Sequence, residues 1–91
     1  MEERLSAVVR IANKKGLHAR ASAKIVEAAA RFDSRIRISY NQQTVDARSI
    51  MGLMMLAASE GSEITIDAEG SDAPTALAAV VALTEAKFGE E

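Results

Sequence analysis

Apolar residues in this chain recur first at every second position and then at every third or fourth, and the two spacings keep alternating along its length. A chain of that kind buries both sorts of apolar face by laying helices against a sheet. Leu5, Ala7, Val9 and Ile11 alternate with Ser6, Val8 and Arg10, the pattern of a strand with one covered face. Asn13, Lys14, Lys15 and Gly16 make a polar loop, after which Ala21, Ile25, Ala28 and Phe32 predict a helix from about His18 to Arg31. Ile36, Ile38 and Tyr40 alternate with Arg35, Arg37 and Ser39, a polar turn follows at Asn41, Gln42 and Gln43, and Thr44 to Ala47 completes a hairpin. Ser49 suits the N-cap of a short apolar helix from Ile50 to Ala58 that ends near Ser59 to Gly61. Ile64, Ile66 and Ala68 alternate with polar residues as a fourth strand. Asp72 is the expected cap of a last helix, with Pro74 in its first turn and Leu77, Val80, Val81, Thr84 and Phe88 facing inward, closed by Lys87 and Gly89.

The order is βαββαβα, which predicts an α+β two-layer sandwich: a four-stranded antiparallel sheet covered on one face by three helices, within one domain over residues 1–91. A ferredoxin-like domain with an added helix gives the same string, so the element order leaves the strand order open. Two Phe and one Tyr are the aromatic residues, so Ala, Val, Ile, Leu and Met must fill the interior. Eleven basic against thirteen acidic residues leave a net charge of −2, which gives no footprint for nucleic acid or an anionic membrane. No cysteine is present, so disulfides, thiolate ligands and thiol nucleophiles drop out, and one histidine makes a transition-metal site implausible. Neither a metal nor an organic cofactor is expected. MEERLSAVVR resembles no signal peptide and no run approaches the roughly 20 apolar residues of a membrane span, so the expected location is cytoplasmic without membrane insertion.

Gly16-Leu17-His18-Ala19-Arg20 places the chain's one imidazole at the start of the first helix, where several backbone N–H groups lack an intrahelical acceptor. Such an end attracts anions, and Arg20 would add a charge-assisted contact to phosphate oxygens. Gly16 lets the backbone turn, and with Ala19 it would form the loop around the phosphate. The expected state is a neutral ring, reachable from outside, with its nucleophilic edge toward those free amides. A lone histidine or arginine at a helix start is ordinarily only a local packing or solvated residue; the conjunction is what carries information.

These five residues, together with Ala47-Arg48-Ser49-Ile50-Met51-Gly52-Leu53-Met54, resemble the two signature segments of the HPr family of the phosphoenolpyruvate-dependent phosphotransferase system, and the likeness covers essentially the whole chain. The resemblance implies a phosphocarrier: enzyme I, charged by phosphoenolpyruvate, phosphorylates Nδ1 of His18, and an enzyme IIA domain receives the group, with Arg20 stabilising the phosphate. It also implies an open-faced β-sandwich with strand order 1-4-2-3. Many family members carry Pro after the arginine; Ala21 stands here, a feature associated with the nitrogen-related branch, which leaves the recipient open.

Ser49 matches a serine that an HPr kinase/phosphorylase modifies in some members, while its plain reading is an N-cap. On the second helix Leu53, Leu56 and Ala57 are assigned to the core, leaving Met51, Met54 and Met55 outward with Ile50 at the boundary. Ile50, Met51 and Met54 are the candidate partner interface, since flexible thioethers adapt to several surfaces. The chain is expected to act as a monomeric, stoichiometric carrier rather than a stand-alone catalyst. The competing readings are a regulatory domain that binds a kinase or transporter without obligatory phosphotransfer, and a ferredoxin-like small-ligand sensor, which gives no reason for the His18 and Arg20 pair.

Overall fold

The computed structural model describes residues 3–90; Met1, Glu2 and Glu91, at the ends of the expected domain, lie outside them. Four strands, β1 (Glu3–Arg10), β2 (Ser34–Tyr40), β3 (Gln43–Asp46) and β4 (Glu63–Gly70), pair antiparallel in the order β1-β4-β2-β3. Between them run α1 (Ala19–Ala29), α2 (Ile50–Met55) and α3 (Ala73–Glu85), followed by a 3-10 turn at Lys87–Gly89. The last strand therefore enters between the first and second, the order that the family likeness implied and that the element string left open. No helix among the described residues is long and apolar enough to cross a membrane.

Strand register explains why only one sheet face is covered. Leu5 lies opposite Ala68 and Val9 opposite Ile64, while Ile38 faces Ile66 across the other edge of β4. Because side chains alternate faces, these residues all point into the layer of helices, where Ile25, Leu53, Val80 and Phe88 close over them. The opposite face carries Arg10 against Glu63 at 3.5 Å, an exposed pair that contributes little to stability, and Arg37 against Asp67 at 3.4 Å, where the aspartate itself is buried. At the β2–β3 turn, Asn41 and Gln42 both have positive φ, 52° and 67°, as a tight two-residue hairpin requires.

Several helical assignments shift, each for a local reason. The buried stripe of α1 is Ala21, Ser22, Ile25 and Ala29 rather than one through Ala28, which is half-buried. Helix α2 stops at Met55, and Ala57 takes a left-handed φ of 55°, so Ala57 faces solvent and Ala58 turns inward in its place. Phe88 does reach the core, but not on α3. Lys87 and Phe88 are both left-handed, at φ 59° and 56°, and the reversal swings the ring back under the sheet while Lys24 Nζ donates to the Phe88 carbonyl. In α3 the fully buried positions are Ala73, Ala76, Val80 and Thr84, with Leu77 and Val81 only partly covered.

Asp72 does stand at the N-cap of α3, but its carboxylate makes no capping bond there. It accepts instead from the Asp33 N–H at 2.8 Å and from the Ser34 hydroxyl, tying the start of β2 to the start of α3. The Ser34 hydroxyl and then the Asp33 amide stabilise the ionised carboxylate and hold its pKa below the ordinary aspartate range. Ser49, in contrast, caps as expected, its Oγ accepting from the Gly52 N–H at 3.0 Å.

Candidate functional site

The loop between β1 and α1 is shaped by one glycine. Gly16 has φ +64°, and a Cβ built there would lie 2.4 Å from the Ala58 carbonyl oxygen and 2.8 Å from the Ser59 Cα. Both the conformation and the space thus demand glycine. The close approach lets the Leu17 N–H donate to the Ala58 carbonyl at 2.9 Å, and the Leu17 side chain enters the core. With its predecessor anchored inward, His18 becomes the N-cap of α1, with extended backbone.

The first intrahelical bond runs from the Ser22 N–H to the His18 carbonyl, 2.9 Å. The amides of Ala19, Arg20 and Ala21 therefore precede the helix's own acceptors, as the sequence implied. His18 is reachable, its side chain 27% exposed. The contacts of the ring itself are with oxygens: Nδ1 lies 3.1 Å from the Gly16 carbonyl oxygen and Nε2 lies 3.0 Å from Glu90 Oε2. A ring N–H can bond to either oxygen, and which one it meets depends on the tautomer.

Glu90 and Asn13 escaped the sequence reading. Asn13 stands in the polar loop that the sequence predicts, yet it is fully buried, and its Nδ2 donates to the Gly16 carbonyl at 2.9 Å and to Glu90 Oε1 at 3.0 Å. Glu90 follows the turn at Lys87–Gly89 and is brought over the histidine by the burial of Phe88. No spacing rule announces either residue. The one signal was an asparagine directly following an apolar strand, which a loop assignment absorbs without remainder.

Arg20 is exposed and lines a cleft of about 360 Å³ with Lys14, Lys15, Lys24, Gly89 and Glu90. Four cations against one carboxylate make this end of α1 locally positive although the chain is net negative. A larger cleft of about 580 Å³, among Asp33, Arg35, Asp46, Arg48 and Glu69, contains none of the expected site residues. Among the described residues no three His, Asp or Glu side chains converge as metal ligands would.

Helix α2 packs against α1. On its outer surface Met51 is 69% exposed, with Ile50, Met54 and Met55 also open to solvent, while Leu53 and Leu56 are buried. The outward methionines and inward leucines match the sequence reading.

The family model described as "PTS HPr component phosphorylation site" matches residues 5–86. A phosphocarrier protein HPr of Cupriavidus necator is 51% identical over 80 residues, which cover 88% of this chain and 90% of that protein. A phosphocarrier protein NPr of Shewanella violacea is 44% identical over 87 residues, 96% of each chain. The crystal structure of HPr-C-His from Thermoanaerobacter tengcongensis superposes with a TM-score of 0.91 at 44% identity, covering 96% of this chain and 98% of that one.

Proposed function

This chain belongs to the HPr family of phosphocarrier proteins, and from that premise we propose that it accepts a phosphoryl group from phosphorylated enzyme I on Nδ1 of His18 and passes it to an enzyme IIA domain. The observation that supports the assignment to His18 is its place in the fold. It is the chain's one imidazole, it is partly exposed, and it stands at the N-cap of α1 beside three amides without intrahelical acceptors. In transfer the Nδ1 lone pair forms a bond to phosphorus while the bond from phosphorus to the donor atom breaks, its electron pair returning to the donor. The reverse exchange delivers the group to the acceptor. Positioning and charge stabilisation are the protein's whole contribution, so the carrier turns over stoichiometrically within one domain over 1–91.

A phosphorus bonded to Nδ1 does not fit between that nitrogen and the Gly16 oxygen 3.1 Å away. The ring must therefore turn for transfer, and amides at the head of α1 with Arg20 and the nearby lysines are the groups available to phosphate oxygens. Ile50, Met51 and Met54 form the docking surface for donor and acceptor, and phosphate on Ser49 would place a dianion at the head of that surface. Incubation with phosphoenolpyruvate and enzyme I should give acid-labile, alkali-stable label that His18→Ala abolishes. No label with a competent enzyme I would replace the carrier role by a regulatory one that needs only binding.

A further inference from the structure

We propose that Glu90, held by Asn13, is a positioning residue for phosphoryl transfer: its carboxylate accepts a hydrogen bond from the Nε2–H of His18, keeps the proton on that nitrogen and thereby leaves the lone pair on Nδ1. The inference rests on the reading of His18 as the phosphoryl acceptor and says why one of its two nitrogens is the nucleophile.

A neutral imidazole carries one proton, and which nitrogen holds it is set by the partners of the two. Two oxygens compete. The Gly16 carbonyl, 3.1 Å from Nδ1, already accepts from the His18 backbone N–H at 2.9 Å and from Asn13 Nδ2 at 2.9 Å, so both its lone pairs are engaged. Glu90 Oε2, 3.0 Å from Nε2, is buried and has no hydrogen-bond partner among the described residues, because the two atoms face each other without being aligned for a bond. A charged acceptor with a free lone pair outcompetes a neutral one already doubly used. The proton belongs on Nε2, and a small turn of the ring aligns it with Oε2.

Asn13 makes the arrangement directional. Its Nδ2 donates to Glu90 Oε1 at 3.0 Å, which holds the carboxylate in place and leaves Oε2 toward the ring. The amide is not reversible: turned over, it would set Asn13 Oδ1 against both Glu90 Oε1 and the Gly16 oxygen. Asn13 therefore donates, Glu90 accepts at both oxygens, and the imidazole donates. As the N–P bond forms at Nδ1 the ring becomes cationic with its proton still on Nε2, and the Glu90 carboxylate faces that charge without any proton having to move.

Glu90→Gln tests this through the same directionality. Asn13 Nδ2 claims the glutamine oxygen, so the glutamine NH₂ faces Nε2 and demands a lone pair there, which drives the proton to Nδ1. Long-range proton–nitrogen spectra of the unphosphorylated protein, at a pH where the ring is neutral, should show the Nε2–H tautomer in wild type and the Nδ1–H tautomer in Glu90→Gln, with Glu90→Ala between them. Transfer from phosphorylated enzyme I should fall at least about tenfold in Glu90→Gln with unchanged circular dichroism. The same tautomer in wild type and both variants, or an Nδ1–H tautomer in wild type, overturns the proposal. If wild type takes no label from enzyme I, the carrier reading fails by itself, and the spectra still decide where the proton sits.

Discussion

Replacing Gly16 with alanine should be among the most damaging small changes available in this protein, and its cost divides into parts that can be separated. A non-glycine residue at φ +64° costs roughly 1–2 kcal/mol for conformation alone. The added Cβ also meets the Ala58 carbonyl oxygen at 2.4 Å, and because that atom is backbone the loop after α2 must move, an overpacking cost of roughly 1–3 kcal/mol. The displacement weakens the Leu17 N–H to Ala58 carbonyl bond, about 1 kcal/mol more. The sum is about 3–6 kcal/mol, which in a domain of this size lowers Tm by about 15–30 °C. Gly61→Ala provides the internal control: its φ is +90°, but nothing lies within 4 Å of the new Cβ, so only the conformational part applies, about 5–10 °C. Thermal unfolding followed by circular dichroism reads both. If Gly16→Ala melts no lower than Gly61→Ala, the contact with Ala58 does not hold the loop that presents His18, and the account of that loop is wrong.

Arg20→Ala should slow transfer from enzyme I about tenfold, the worth of one charge-assisted contact, while Tm stays within a few degrees because the residue is exposed; equal rates would remove it from the phosphate site. Met51→Glu or Met54→Glu should weaken productive docking, read as a raised half-saturating concentration in the enzyme I assay, and unaltered kinetics in both would dismiss the α2 patch. Ser49→Ala removes the bond to the Gly52 N–H and should cost about 0.5–2 kcal/mol, measured by urea unfolding; no change in midpoint would show that α2 does not depend on its cap. The pKa of Asp72 is held below its usual range by Ser34 and Asp33, so the stability the carboxylate contributes is present above the unfolded pKa and is lost as pH falls through the folded one. Asp72→Ala should therefore lower Tm clearly at pH 6 and less and less as the pH is taken below the usual aspartate range, and an equal difference throughout would refute that linkage.

Much of this molecule was legible in the chain. The period-two runs at Leu5–Ile11 and Ile64–Ala68 reappear as β1 and β4 with the anticipated residues inward, and Ser49 caps α2 because an N-cap needs only a hydroxyl and an amide three residues on. The position of His18 at a helix start was equally readable, since the glycine, the buried leucine and the alanine-rich run that follow one another there are local signals. What local signals could not supply was the end of each helix under tertiary load, at Ala57 and Phe88, where the chain accepts left-handed residues in order to fill the core.

The family and the imidazole were determined by the sequence itself, through patterns whose members stand a few residues apart. Which way that imidazole faces was decided only in three dimensions. Asn13 and Glu90 are 77 residues apart, and they meet over His18 because the burial of Phe88 folds the segment after α3 back across the head of α1. A contact of that kind depends on the packing of the whole layer between the two residues, and no short-range periodicity records it.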